Sequence, residues 1–144
     1  MSEYQHATAD TADLSPQLNA LLGDGVTSVV LFSSDGLPLA STDGLSREAT
    51  ERSCAAFAGM HSLQQSFAEF CRTTPDKLRT RSQTMDFVTH TVLLLAAGRN
   101  SGLALAVEGG VFERNSQLAL SKALKLIKAL EPFLAARDRQ LQRA

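Results

Sequence analysis

Two thiols and three imidazoles are the groups in this sequence best suited to nucleophilic or metal chemistry: Cys54, Cys71, His6, His61 and His90. A cysteine nucleophile needs an imidazole within hydrogen-bond reach to hold it as the thiolate. Cys54 and His61 stand seven positions apart, two turns along one face if the segment is helical, which is too far for direct proton transfer. Cys54 and Cys71 are separated by seventeen positions, roughly 25 Å along a continuous helix, beyond the reach of a disulfide. Both cysteines are expected to act as small apolar residues in a reducing compartment. The histidines have no cysteine or carboxylate at metal-ligand spacing. A G-x-x-x-x-G-K-[ST] phosphate loop is absent, and Gly23-Asp24-Gly25 and Gly109-Gly110 read as turns. The expectation is a protein without catalytic residues, cofactor or metal.

Composition narrows the alternatives. The chain has 144 residues, 44% of them hydrophobic and 20% charged, which suits one globular domain with a packed core. Fourteen Lys and Arg against fifteen Asp and Glu give a net charge of −1, so no global positive field favours nucleic acid. The longest apolar stretches, Val29 to Phe32 and Val92 to Ala97, fall far short of the roughly 18–20 residues that span a bilayer. No membrane insertion and a cytoplasmic location are expected.

The elements that must position any functional surface follow from apolar spacing. Residues 1–13 are polar and aperiodic and are expected to form a flexible tail. Ser15-Pro16 is a helix start, Leu18, Leu21 and Leu22 supply its apolar stripe, and Gly23 and Gly25 end it. Thr27 to Ser33 reads as a strand that is apolar on both sides, Ser34-Asp35-Gly36 as a turn, and Leu37 to Thr42 as a return strand that Pro38 confines to a sheet edge. Ser46 caps a long helix extending to Phe70 or Cys71. Ala49, Ala56, Met60, Leu63, Phe67 and Phe70 are predicted to face the core. Beside them runs a stripe of small residues, Ser53, Ala55, Ala58, Gly59, Ser62 and Ser66, which suits either close packing on the sheet or a helix of a second copy. Leu78 to Met85 reads as a polar edge strand, and Thr89 to Ala97 and Leu103 to Val107 as doubly buried strands. A last helix carries Leu120, Leu124, Ile127, Leu130 and Leu134; Pro132 should kink or shorten it, and residues 137–144 should fray as a basic tail. One α+β domain over residues 14–136 results, with helices covering both faces of one sheet.

The run Leu18-Asn19-Ala20-Leu21-Leu22, the segment Val29-Val30-Leu31-Phe32-Ser33-Ser34-Asp35-Gly36-Leu37-Pro38-Leu39-Ala40-Ser41 and the small-residue helix from Ala55 to Leu63 together resemble the roadblock/LC7 domain. The likeness is greatest to the small bacterial members found in actinobacterial operons with a Ras-like GTPase. It implies a three-layer sandwich: a five-stranded antiparallel sheet with one long helix on one face and the N- and C-terminal helices on the other. It also implies a dimer, formed through the third strand and the long helix, that serves as a non-enzymatic scaffold or regulator of a small Ras-like GTPase. Relatives usually carry an apolar third strand, whereas this one holds Arg79, Thr80, Arg81, Ser82 and Thr84. On this reading Ala55, Ala58, Gly59, Ser62, Ser66, Arg79 and Arg81 form the dimer interface, a homodimer in the first instance. Arg47, Glu48, Glu51, Arg52, His61, Gln64 and Gln65 face the GTPase. A small-molecule sensor or a purely structural interaction module of similar fold is the alternative, and a deep pocket would favour the former.

Overall fold

The computed structural model describes residues 13–143, apart from the side chains of His61 and Gln64. The expected N-terminal tail therefore lies outside the described residues up to position 12. The elements are α1 (Ser15–Asn19), β1 (Val26–Ser33), β2 (Pro38–Ser41), α2 (Arg47–Leu63), β3 (Ser82–Asp86), β4 (His90–Ala96), β5 (Ser101–Glu108) and α3 (Arg114–Arg143). They form one antiparallel sheet of order β2-β1-β5-β4-β3. The strands rich in Val and Leu on both sides take the three inner places, as residues that cannot face water must. Pro38, which has no N–H to offer a ladder, lies on the β2 edge beside a register shift.

Alternation along the strands divides the core in two. Val29, Leu31, Leu93, Leu95, Leu103, Leu105 and Val107 point to one face, where Leu14, Leu18 and Leu21 around α1 and Ala119, Ala123, Leu130 and Leu134 of α3 cover them. Val30, Phe32, Leu94 and Ala104 point to the other, beneath Cys54 of α2 and the partly buried Phe57 and Met60. The arrangement is the three-layer sandwich that the family resemblance implies.

The turn between β1 and β2 explains why its residue types are so particular. The Ser33 amide donates to the Leu37 carbonyl at 2.8 Å, and the Leu37 amide donates to Ser33 Oγ at 3.0 Å. Ser33 Oγ in turn donates to the Asp35 carboxylate. Gly36 has φ +89, and a Cβ there would sit 3.4 Å from the Ala55 Cα, so the turn both needs glycine and seats α2.

Several local expectations are corrected. The N-cap of the first helix is Leu14, which offers no side-chain cap; Ser15 is already helical, and its amide donates to the carboxylate of the preceding Asp13 at 3.0 Å. The α2 helix stops at Leu63, tightens into a 3₁₀ turn over Gln64–Phe67, and ends where Arg72 adopts φ 56 and the Thr73 amide donates to the Ala68 carbonyl. Closure through a left-handed residue is a usual helix stop. Its core-facing stripe is Thr50, Cys54, Phe57 and Met60. Ala56, Leu63, Phe67 and Phe70 are exposed instead, Phe70 by 88%.

The third strand begins at Ser82, four residues later than predicted. Pro75–Lys77 forms a 3₁₀ turn, and the Leu78 backbone, at φ −94 and ψ 78, is not extended. In the last helix, Pro132 neither ends nor shortens the run, and residues 137–143 are helical and not frayed. Lys128 and Pro132 are both exposed, so the carbonyl that loses its proline partner faces water. The last turns are held by Asp138, whose carboxylate accepts the Arg99 amide at 3.1 Å and Asn100 Nδ2 at 3.0 Å. Leu124 is 54% exposed, and Ala119 and Ala123 occupy the buried positions that let α3 lie close to the sheet.

Candidate functional site

The face of α2 turned away from the sheet is the candidate site. Among the described side chains of this seventeen-residue helix only Thr50 and Cys54 are buried, which leaves most of its circumference open. The exposed surface changes character along its length. Arg47, Glu48, Glu51 and Arg52 supply mixed charge in the first turns, all exposed, with Arg47 Nε 3.2 Å from Glu51 Oε2. Ala55, Ala56, Gly59 and Ser62 then form a low, nearly featureless stretch, and Ser62 Oγ turns back to the Gly59 carbonyl at 2.8 Å. Leu63, Phe67 and Phe70 follow, large and apolar, with exposures of 59%, 55% and 88%. Side chains of that size in water mark a surface that something else covers.

The β3 edge borders this surface. Among the described residues β3 pairs only with β4, so its outer N–H and C=O groups have no ladder partner among them. Met85 packs under α2, and Gln83 Nε2 donates to the Met60 carbonyl at 3.4 Å, which ties the strand to the helix. At its end Phe87 and Val88 are exposed, extending the apolar character of the region.

Of the residues predicted to form a dimer interface, Ala55, Gly59, Ser62 and Ser66 are exposed and Ala58 is half-buried beside the Gly36 turn. Arg79 and Arg81 are exposed but precede β3 and do not lie in it. The Arg81 carbonyl still accepts the Ala96 amide at 2.9 Å, so contact with β4 begins there, just ahead of the strand. Of the residues predicted to face a GTPase, Gln65 is exposed on the 3₁₀ turn, while the side chains of His61 and Gln64 lie outside the described ones. Sequence reasoning missed Leu63, Phe67 and Phe70 as surface residues. The loss of helix-favouring residues around Gly59, Ser62 and Ser66 was the available signal that the register would change.

The thiol chemistry considered from the sequence has little support in the geometry. Cys54 is fully buried, and burial pushes its thiol up to about 11, far from the thiolate that a nucleophile requires. Cys71 is exposed. Among the described residues, no group of three or more His, Cys, Asp or Glu side chains could hold a metal ion. No helix among them is long and apolar enough to cross a membrane.

A model of the Roadblock/LC7 domain family matches residues 18–107, from α1 through most of β5. Among solved structures, the Roadblock/LC7 domain from Streptomyces avermitilis is similar at 25% identity and a TM-score of 0.70, over 86% of this chain and 99% of that one. MglB of Myxococcus xanthus is similar at 13% identity and a TM-score of 0.65, over 83% and 95%. The gliding protein MglB of Thermus thermophilus is similar at 16% identity and a TM-score of 0.65, over 84% and 86%. At these identities the two MglB proteins show the shared fold alone. Among curated proteins no relative matches.

Proposed function

The chain belongs to the Roadblock/LC7 domain family, and from that premise we propose that it is a non-enzymatic, dimeric platform for a small Ras-like GTPase in bacterial signalling. The observation that carries this reading is the continuity of the exposed α2 face with β3, the end strand of the described sheet. A second copy meeting that surface covers Ala55, Gly59, Ser62 and Ser66 by close helix approach, and Leu63, Phe67 and Phe70 by burial of large side chains. Because β3 is short, helix contact contributes more to this pairing than strand addition does. Arg79 and Arg81 then lie at its rim.

The charged first turns of α2 remain for the GTPase: Arg47, Glu48, Glu51 and Arg52, with His61, Gln64 and Gln65 further along. A mixed-charge surface of this kind sets orientation and association rate more than affinity. The location fitting this role is the cytoplasm.

Light scattering at micromolar concentration tests the dimer, which has twice the 15.4 kDa chain mass. Capture of a Ras-like GTPase in its GDP and GTP states tests the partner. Replacing Arg52 and Gln65 together with glutamate and tryptophan should weaken capture about tenfold, roughly 1.4 kcal/mol, and leave the melting temperature unchanged. Unchanged capture moves the GTPase to another face.

A further inference from the structure

On the α2 side of the sheet lies a half-open cavity of about 570 Å³, within the roughly 300–1,000 Å³ range of small-molecule sites. It is lined on one side by the segment from Pro75 to Thr80, which precedes β3 and reaches the ladder only at Arg81, whose carbonyl accepts the Ala96 amide at 2.9 Å. Its floor is apolar. Phe32 lies over Gly102 so closely that a Cβ there would collide with the ring, and Phe57 stacks obliquely on Phe32 at 5.6 Å. Leu94 lies beside them in the same lining.

The polar part of the wall is dominated by Arg79 and Arg99, with Asp76 as its one acidic residue. Both arginines also line an adjoining cavity of about 440 Å³ with Asn100, Leu141 and Gln142, so they stand where the two spaces meet. Among the described residues, neither guanidinium has an ion-pair or hydrogen-bond partner. Two exposed guanidinium groups beside a fixed aromatic floor have the chemistry of an anion site with an apolar half.

We propose that this cavity binds a small organic phosphate, its apolar or aromatic body over Phe32 and Phe57 and its phosphate between Arg79 and Arg99. Phosphate is favoured over carboxylate because a guanidinium presents a planar fork of donors. One carboxylate satisfies one fork, whereas a dianionic tetrahedral phosphate has oxygens for two. The body is required because the floor, at the thin side of the core, gains most from covering its apolar surface. Lys77 lies in the segment from Pro75 to Thr80 and Arg81 directly follows it, and Arg139 and Arg143 lie in the last turns of α3, on either side of Leu141 and Gln142, while the Asp138 carboxylate is engaged by the Arg99 amide and Asn100 Nδ2. The proposal does not depend on the GTPase reading; it adds a ligand to the same domain.

Titration calorimetry of the full chain with 1-naphthyl phosphate tests it, with 1-naphthoate and inorganic phosphate as separate arms. One molecule of 1-naphthyl phosphate per chain is expected to bind, with 1-naphthoate and inorganic phosphate each at least tenfold weaker. The double variant Arg79→Gln, Arg99→Gln, whose changes lie on the surface, should lose at least tenfold in affinity with an unchanged melting temperature. Ala58→Leu, which fills the cavity and keeps both arginines, should lose binding as well, and a folded far-ultraviolet spectrum separates that loss from unfolding. Equal binding of 1-naphthoate, binding that survives the arginine pair, or saturation above one site per chain would overturn the proposal. So would binding to phosphatidylserine vesicles, through the same arginines, by a chain that ignores 1-naphthyl phosphate at millimolar concentration.

Discussion

The two faces of the sheet are built to different standards. The face under α1 and α3 is closed: sixteen buried apolar residues form one cluster there, Leu18, Leu31, Leu103 and Val107 having no solvent contact. The face under α2 holds five such residues, a cavity, and a helix whose outer side is mostly wet. Both faces come from the same strands, alternating residue by residue, so the difference does not lie in the sheet. It lies in what covers it. A thirty-residue helix with alanines against the strands can lie close, whereas α2 touches the sheet through Thr50, Cys54, Phe57 and Met60 and loosens after Leu63. The buried apolar residues are concentrated on one side, and the other keeps large apolar side chains exposed, as the proposed platform requires.

The largest effect expected from this contrast is in the core. Leu103→Ala should cost about 2–5 kcal/mol in urea unfolding, while Leu94→Ala, which already borders open space, should cost clearly less. Equal losses would mean that the two faces are equally tight. Next comes self-association: Phe67→Ser with Phe70→Ser should convert a dimer to the 15.4 kDa monomer at micromolar concentration. The monomer's denaturant midpoint should hardly move, because both side chains are solvated in the single chain. A large drop in that midpoint would return these phenylalanines to the core.

A third test uses the buried thiol. Cys54 keeps its proton up to about pH 11 when folded but only to about 9.0 when unfolded. The folded state therefore binds more protons across that window, and its stability falls as pH rises. Relative to Cys54→Ala, the wild-type chain should lose roughly 1 kcal/mol between pH 8 and pH 10. Parallel pH profiles would show that Cys54 is not held in a dry site. The smallest effect is expected at the exposed end of α2. A double-mutant cycle on Arg47 and Glu51 should give about 0.3–0.5 kcal/mol, as solvated i,i+4 pairs do. A value several times larger would mean that this part of the helix is structural and not a recognition surface.

The sequence determined the sheet almost completely. Val29 to Phe32, Val92 to Leu95 and Leu103 to Val107 have apolar side chains on consecutive positions, and such strands are stable only inside a sheet covered on both faces. Pro38 and the Ser-Asp-Gly turn assigned an edge and a hairpin for equally local reasons, a missing N–H and a positive φ. What the sequence left open was the cover. Apolar periodicity states that a helix has two faces and not which one meets the sheet, so Leu63, Phe67 and Phe70 read as core although they face outward. Arg137 and Asp138 read as a fraying tail although they are buried, and the turn at Arg99 and Asn100 that holds Asp138 is nearly forty residues distant. The cavity under α2 depends in the same way on where the segment from Pro75 to Arg81 settles. Local chemistry chose the strands and turns; only the packing of distant elements decided which surfaces were left for other molecules.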